Sequence, residues 1–161
     1  MPAFVKIGDI KGEATDQDHK DWIIIESMSA PIFRSIPQGA KDQQRTKGET
    51  TLGDVVLVRQ LDKSSTKLAE ACANGTFFKE VLIEFCSTIK NKQEPYLKYK
   101  LSNVIVTSYS FHGNSSGSPL PSEEVTVGFT EIEWNYVILD PTSGDVKGNV
   151  PAKYNPGAGK A

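Results

Sequence analysis

The feature that most constrains this chain is its rhythm of short β-branched and aromatic runs, each cut off by Gly, Pro, Asn, Asp or Ser. Phe4 to Ile7 is ended by Gly8-Asp9, Val55, Leu57 and Arg59 alternate with Val56, Val58 and Gln60, and Val81, Ile83 and Phe85 alternate with Glu80, Leu82 and Glu84. Leu97, Tyr99 and Leu101 alternate with Lys98 and Lys100, Val104 to Val106 continue that run, and Val125, Val127 and Phe129 open another. Successive side chains of a strand point to opposite faces, so such runs put one face in a core and the other elsewhere, as in a sandwich or barrel. In the last run Glu131 and Glu133 are polar while Ile132, Trp134, Tyr136 and Ile138 are apolar. The inward face therefore changes, and a one-residue bulge near Thr130 is expected. Asn91 to Pro95 reads as the turn between the two central strands.

One segment breaks the period of two. Leu68, Ala71 and Cys72 share a face at helical spacing, Ser64 or Ser65 is suited to accept an orphan N–H at the start, and Asn74-Gly75 supplies a left-handed stop. Trp22 to Ala30 begins apolar on both faces, which suits a strand covered on one side by the core and on the other by a further body such as a neighbouring subunit. Lys11 to Asp21, with Glu13, Asp16, Asp18 and Asp21, reads as a solvated connection. Almost every residue between Arg34 and Leu52 is polar, Gly or Pro, and a loop of that length in a small domain is expected to serve a function. The expected organisation is a mainly β, antiparallel β-barrel over residues 1–139, with one short α-helix and a long extended loop between early strands, followed by a flexible tail over 140–161.

Several functions are disfavoured. With 18 Lys and Arg against 20 Asp and Glu the chain has a net charge of -2, which offers little to a polyanion, so no nucleic-acid partner is expected. The longest apolar run, Trp22 to Ile25, is far short of the roughly 20 residues that cross a bilayer, and Met1 to Lys6 lacks a signal-peptide pattern. Membrane insertion is not expected, and the chain is expected to begin in the cytoplasm. The two cysteines, Cys72 and Cys86, are too few for a disulfide framework and read as core residues. Gly113-Asn114-Ser115-Ser116-Gly117 matches a nucleophile-elbow pattern, but Ser118-Pro119-Leu120-Pro121 excludes the helix that must follow. Asp16, Asp18 and His19 suggest a cation loop, yet Asp21 and Ser27 occupy the positions that need Gly and Glu. The Glu131/Glu133 pair has no visible pocket. No catalytic residue, metal site or cofactor is expected.

The segments around the helix carry a resemblance. Gly53-Asp54, then Leu61-Asp62-Lys63-Ser64-Ser65-Thr66-Lys67-Leu68-Ala69-Glu70-Ala71-Cys72-Ala73-Asn74-Gly75, then Phe78-Lys79-Glu80-Val81 resemble the haemolysin-coregulated proteins, Hcp, of the bacterial type VI secretion system. Lys6 to Glu13 with His19, Tyr96 to Leu101 with Val104-Ile105, and Pro121 to Ile132 are similar to the family in the same order, so that most of residues 4–139 is covered. Thr66 stands where many members have Pro, and the Arg34–Thr51 loop and the tail carry little of the resemblance.

The resemblance implies a barrel that forms homohexameric rings, stacked into the inner tube of a contractile TssB/TssC sheath, capped by a VgrG spike and secreted without a signal peptide together with effectors. It further implies a lumen-facing position at Ser29, ring-stacking contacts from Arg34, Gln38, Lys41, Arg45 and Lys47, and a subunit interface at Trp22 and Ile24. The alternatives are a monomeric β-barrel binding module and an effector-type member with hydrolase activity.

Overall fold

The alternating runs form strands. In chain order these are β1 (Ala3–Ile7), β2 (Ile23–Ile25), β3 (Ser27–Ser29), β4 (Ile32–Arg34), β5 (Thr50–Leu52), β6 (Val55–Gln60), helix α1 (Ser65–Asn74), β7 (Phe77–Ile89), β8 (Lys92–His112), β9 (Ser122–Gly128), β10 (Glu131–Leu139) and β11 (Val146–Tyr154), with a final 3-10 turn, Pro156–Ala158. The computed structural model describes every residue except 40, 42, 44–47, 116–119 and 159–161. No helix among the described residues is long and apolar enough to cross a membrane.

All strand pairings are antiparallel, and the main sheet runs β2-β1-β7-β8-β9-β6-β3. Its two ends, β2 and β3, are separated in the chain by Glu26 alone, whose N–H donates to the Val58 carbonyl on β6 at 2.8 Å. One continuous segment thus pairs with β1 through its first half and with β6 through its second, and the sheet curls into the expected barrel. Val5, Ile7, Ile23, Val55, Leu57, Val81, Ile83, Leu101, Val125 and Val127 fill the interior, with Leu68 and Ala71 of α1 packed against them. Each such side chain taken fully out of water contributes about 1.5–3 kcal/mol.

The inward face does change near Thr130, but not through a bulge in one strand. Ile105 faces Gly128 and Ser102 faces Glu131, so β8 and the β9–β10 run keep one register across the step. Strand β8 switches faces at the same level, from buried Leu101 to buried Val104, and β7 does so between Phe78 and Val81. Asn103 makes the step in the left-handed region, at φ 55°, and its amide donates to Thr130 Oγ1 at 2.8 Å. A bend shared by neighbouring strands preserves their pairing.

Three other expectations need correction. The turn between the central strands is a tight one at Lys90-Asn91, both at positive φ, as a two-residue hairpin of the right twist requires. Pro95 lies within β8 opposite Cys86, where a register shift between Phe85 and Cys86 disturbs the ladder. Neither Ser64 nor Ser65 caps α1 in the expected way. Ser64 makes no side-chain cap, and instead Asp62 accepts the Ser64 N–H while Ser65 Oγ accepts the Asp62 N–H. Within the tail expected to be flexible over 140–161, Val146–Tyr154 instead pairs along β10 from Tyr154 opposite Ile132 to Val146 opposite Leu139. Asp140 initiates that hairpin by accepting the N–H groups of Thr142 and Ser143, which hold its carboxyl below the ordinary carboxylate range.

Candidate functional site

Two polar clusters stand out inside the molecule. Arg59 and Glu123, cross-strand neighbours on β6 and β9, both point inward and are buried. The guanidinium donates to Glu123 and to Ser64 Oγ and pairs with Asp62, so the helix start is tied to the barrel wall. Tyr109 donates its hydroxyl to Glu123 at 2.6 Å, and burial together with that carboxylate pushes the phenol up to about 12. These groups pair with one another, although the buried Arg59 Nε finds no hydrogen-bond acceptor. Their arrangement is that of a structural network that joins β6, β9 and the start of α1.

The second cluster lies on the outer face of β1 and β7, beneath the acidic connection. His19 is 1% exposed, stacks on Phe4 at 4.4 Å between ring centroids and meets the Trp22 edge at 4.9 Å. Its Nδ1 is 2.6 Å from Asp16, its Nε2 is 2.8 Å from Glu84, and Cys86 Sγ is 3.9 Å from Nε2. The connection expected to be solvated is thus partly packed. Ala14 is buried, and Gly12 runs so close to the backbone of Trp22 that an added Cβ would fall 2.3 Å from its carbonyl oxygen.

Outside the barrel, apolar side chains concentrate on two hairpins. The long early loop is drawn together by β4 and β5, with Ile32 opposite Leu52 and Arg34 opposite Thr50, and Arg34 donates to Thr50 Oγ1 at 3.1 Å. Ile32, Phe33 (61% exposed) and Ile36 face solvent there. Gly48 lies hard against the Ser35 carbonyl, where no side chain fits. The other hairpin is β10–β11. Ile132, Trp134, Tyr136 and Ile138 share one face of β10 by alternation, and that face passes from the core at Ile132 to half cover at Trp134 and 51% exposure at Tyr136. Val150, opposite Tyr136, is also exposed. The core face therefore runs out of the barrel uncovered.

A barrel of this topology with one helix and two projecting hairpins agrees with the comparisons. A family described as "Type VI secretion system effector, Hcp" matches residues 4–136. The chain belongs to the Hcp family. It is 29% identical over 152 residues to protein hcp1 of Pseudomonas aeruginosa, covering 94% of this chain and 91% of that protein. A solved structure described as a type six secretion system protein superposes with a TM-score of 0.89 at 26% identity, over 99% of this chain and 98% of the other. Hcp1 from Salmonella typhimurium, at 24% identity, shares the fold with a TM-score of 0.77 over 99% of this chain and 97% of its own.

Within this Hcp, Ser29 is exposed at the end of β3, opposite Val56. Ile24 is exposed between the buried Ile23 and Ile25, whereas Trp22, on the same side as Ile24, is half-covered by its own chain's Phe4, Cys86 and His19. Arg34, Gln38 and Lys41 lie on the exposed early loop, and Arg45 and Lys47 fall outside the described residues. Ser115 is on an exposed loop whose next residues, 116–119, are also outside them. Glu131 accepts from Asn155 on the tail and Glu133 is exposed, so this Hcp does not bring the two carboxylates into a common pocket. Of the expected core cysteines, Cys86 is buried and Cys72 only half so. Sequence reasoning missed the Glu84 and Cys86 partners of His19, which lie 65 and 67 positions away. The signal available was that Glu84 and Cys86 sit two apart on one strand face.

Proposed function

We propose that this Hcp is a structural subunit of a type VI secretion inner tube, assembling as homohexameric rings that stack, rather than an enzyme. The observation that carries the reading is the apolar surface left uncovered on the two hairpins of an otherwise well-packed barrel. A monomer has no use for such surface, whereas a head-to-tail contact that closes on itself covers it in every copy at once. The family membership and the full-length likeness to type VI secretion proteins support the same reading.

In this reading Ile24, with Trp22 behind it, belongs to the contact between neighbours in a ring. The loop carrying Arg34, Gln38, Lys41, Arg45 and Lys47 reaches toward the next ring, and Ser29 faces the lumen in which effectors ride. Polar loop contacts of modest area suit a tube that must assemble and later release. The finished tube sits in the TssB/TssC sheath beneath the VgrG spike and is exported from the cytoplasm with its cargo.

Light scattering after size exclusion over a range of concentrations tests this. The expected result is a species of six 17.6 kDa chains, visible as rings by negative stain, with Ile24→Asp giving folded monomers. A concentration-independent monomer for the unaltered chain overturns the tube reading while leaving the fold intact.

A further inference from the structure

The cluster beneath the acidic connection sets one imidazole between two carboxylates and beside a thiol. Asp16, 2.6 Å from Nδ1, can only accept there and so takes the Nδ1–H of His19. Nε2 faces a second acceptor, a Glu84 oxygen at 2.8 Å. A positive species must lie between them, either a proton or a metal ion. Lys98 does not fill that role, since its Nζ approaches the other oxygen of Glu84, at 3.6 Å.

Cys86 decides between the two. Its Sγ stands 3.9 Å from Nε2, and the donor atoms of His19, Glu84 and Cys86 all lie within 4.8 Å of one another. A thiol adds nothing to a protonated imidazole, but it is the soft donor that completes a nitrogen–oxygen–sulfur set for a borderline cation. We propose that His19 Nε2, Glu84 Oε2 and Cys86 Sγ form a binding site for a zinc-class divalent ion, with Asp16 as the carboxylate that orients the imidazole.

The surroundings fit. Metal-bound imidazoles nearly always donate their other N–H to a carboxylate or carbonyl, as His19 does to Asp16. Donors around a tetrahedral zinc ion sit about 3.3–3.6 Å apart, given zinc–ligand distances of about 2.0–2.3 Å, so the two distances from Nε2, 2.8 and 3.9 Å, call for shifts of about half an ångström, while the Glu84–Cys86 pair lies within 4.8 Å. Burial, with the Glu84 and Asp16 carboxylates, pushes the Cys86 thiol up to about 12, and a divalent cation reverses that balance by neutralising the site. Glu84 is 16% exposed, which leaves a route for the ion and a position for a water ligand. Two ligands come from the barrel wall and one from the connection, so the ion fastens residues 11–22 to β7.

The test uses untagged full-length protein, dialysed against chelator and then titrated with Zn²⁺ or with Co²⁺ as a coloured substitute. The expected result is one metal per chain, a near-ultraviolet thiolate-to-cobalt absorption band, and a melting temperature that rises with free Zn²⁺. Cys86→Ala is expected to abolish the band, and Glu84→Gln to weaken Zn²⁺ binding at least tenfold. A chain that binds less than a tenth of an equivalent of Zn²⁺ and melts at the same temperature with or without it overturns the proposal, and a proton then bridges His19 and Glu84. A cobalt complex without the thiolate band overturns the assignment of Cys86, and this readout from the unaltered chain stands even where a variant fails to fold.

Discussion

The barrel interior and the far end of the β10–β11 hairpin are made from the same kinds of residue in the same alternating pattern, yet one is dry and the other wet. Val5, Ile83, Leu101 and Val127 are fully buried, whereas Tyr136, Ile138 and Val150 follow the same face outward and stay exposed. A β pattern reports that a face is apolar. It does not report which body covers it, because alternation depends only on the backbone pleat. The exposed end must be interpreted by asking what lies opposite, and within one chain Tyr136 meets only the edge-on ring of Tyr96 among the described aromatic contacts and stays half exposed.

The sharpest way to break the contrast is at the polar part of the interior. Glu123→Ala leaves the Arg59 guanidinium short of its main buried partner and is expected to lower unfolding stability by about 3–5 kcal/mol in urea titrations. The double change Arg59→Met with Glu123→Leu is expected to recover much of that loss, since it removes both charges together.

A smaller effect is expected at Tyr109. Tyr109→Phe deletes one hydrogen bond to a buried carboxylate and should cost about 1.5–3 kcal/mol by the same titration. The unaltered protein has a signed pH signature. The Tyr109 phenol lies at about 12 when folded against 10.0 when free, so its contribution is fully present below pH 10.0 and is lost as the pH rises toward 12. Alkaline melts of the Tyr109→Phe variant should show a shallower decline over that window.

The smallest change in stability, and the largest in assembly, is expected on the hairpins. Phe33→Ser and Tyr136→Ser remove exposed apolar groups, so the thermal stability of the isolated chain should stay within about 0.5 kcal/mol of the original. Loss of oligomer at unchanged melting temperature would mark these residues as contact surface. A fall of several degrees would instead make the hairpins part of the fold.

What the sequence made legible follows from how each element is stabilised. Strands β6 to β10 are held by side chains that alternate into a core, and that alternation is visible in Val55 to Gln60 and Val81 to Phe85. Strands β4, β5 and β11 are held largely by backbone hydrogen bonds to a single neighbour. Ile32–Arg34 and Thr50–Leu52 are too short for a period, and Val146–Tyr154 contains Gly148 and Pro151, which mimic a loop. The start of α1 was misread for a related reason, since the capping atoms belong to Asp62, outside the Ser pair. The inward Arg59 and Glu123 obey the alternation, but their pairing joins residues 64 positions apart. His19 was visible as a candidate ligand, while its partners waited on the β1–β7 pairing that brings Phe4 beside Glu84.

The closure of the barrel through Glu26 has a consequence for strand capture. Because β2 and β3 are one segment paired with β1 through its first half and with β6 through its second, each leaves only a three-residue edge to a foreign strand. A longer open edge lies along the nine residues of β11, which among the described residues pairs with β10 alone. That strand carries Lys147, Pro151 and Lys153, residues that make an edge a poor template because a charge resists stacking and a proline lacks the donor a new neighbour needs. Joining of chains through the backbone is thereby disfavoured along this edge, and contacts made there are left to side chains.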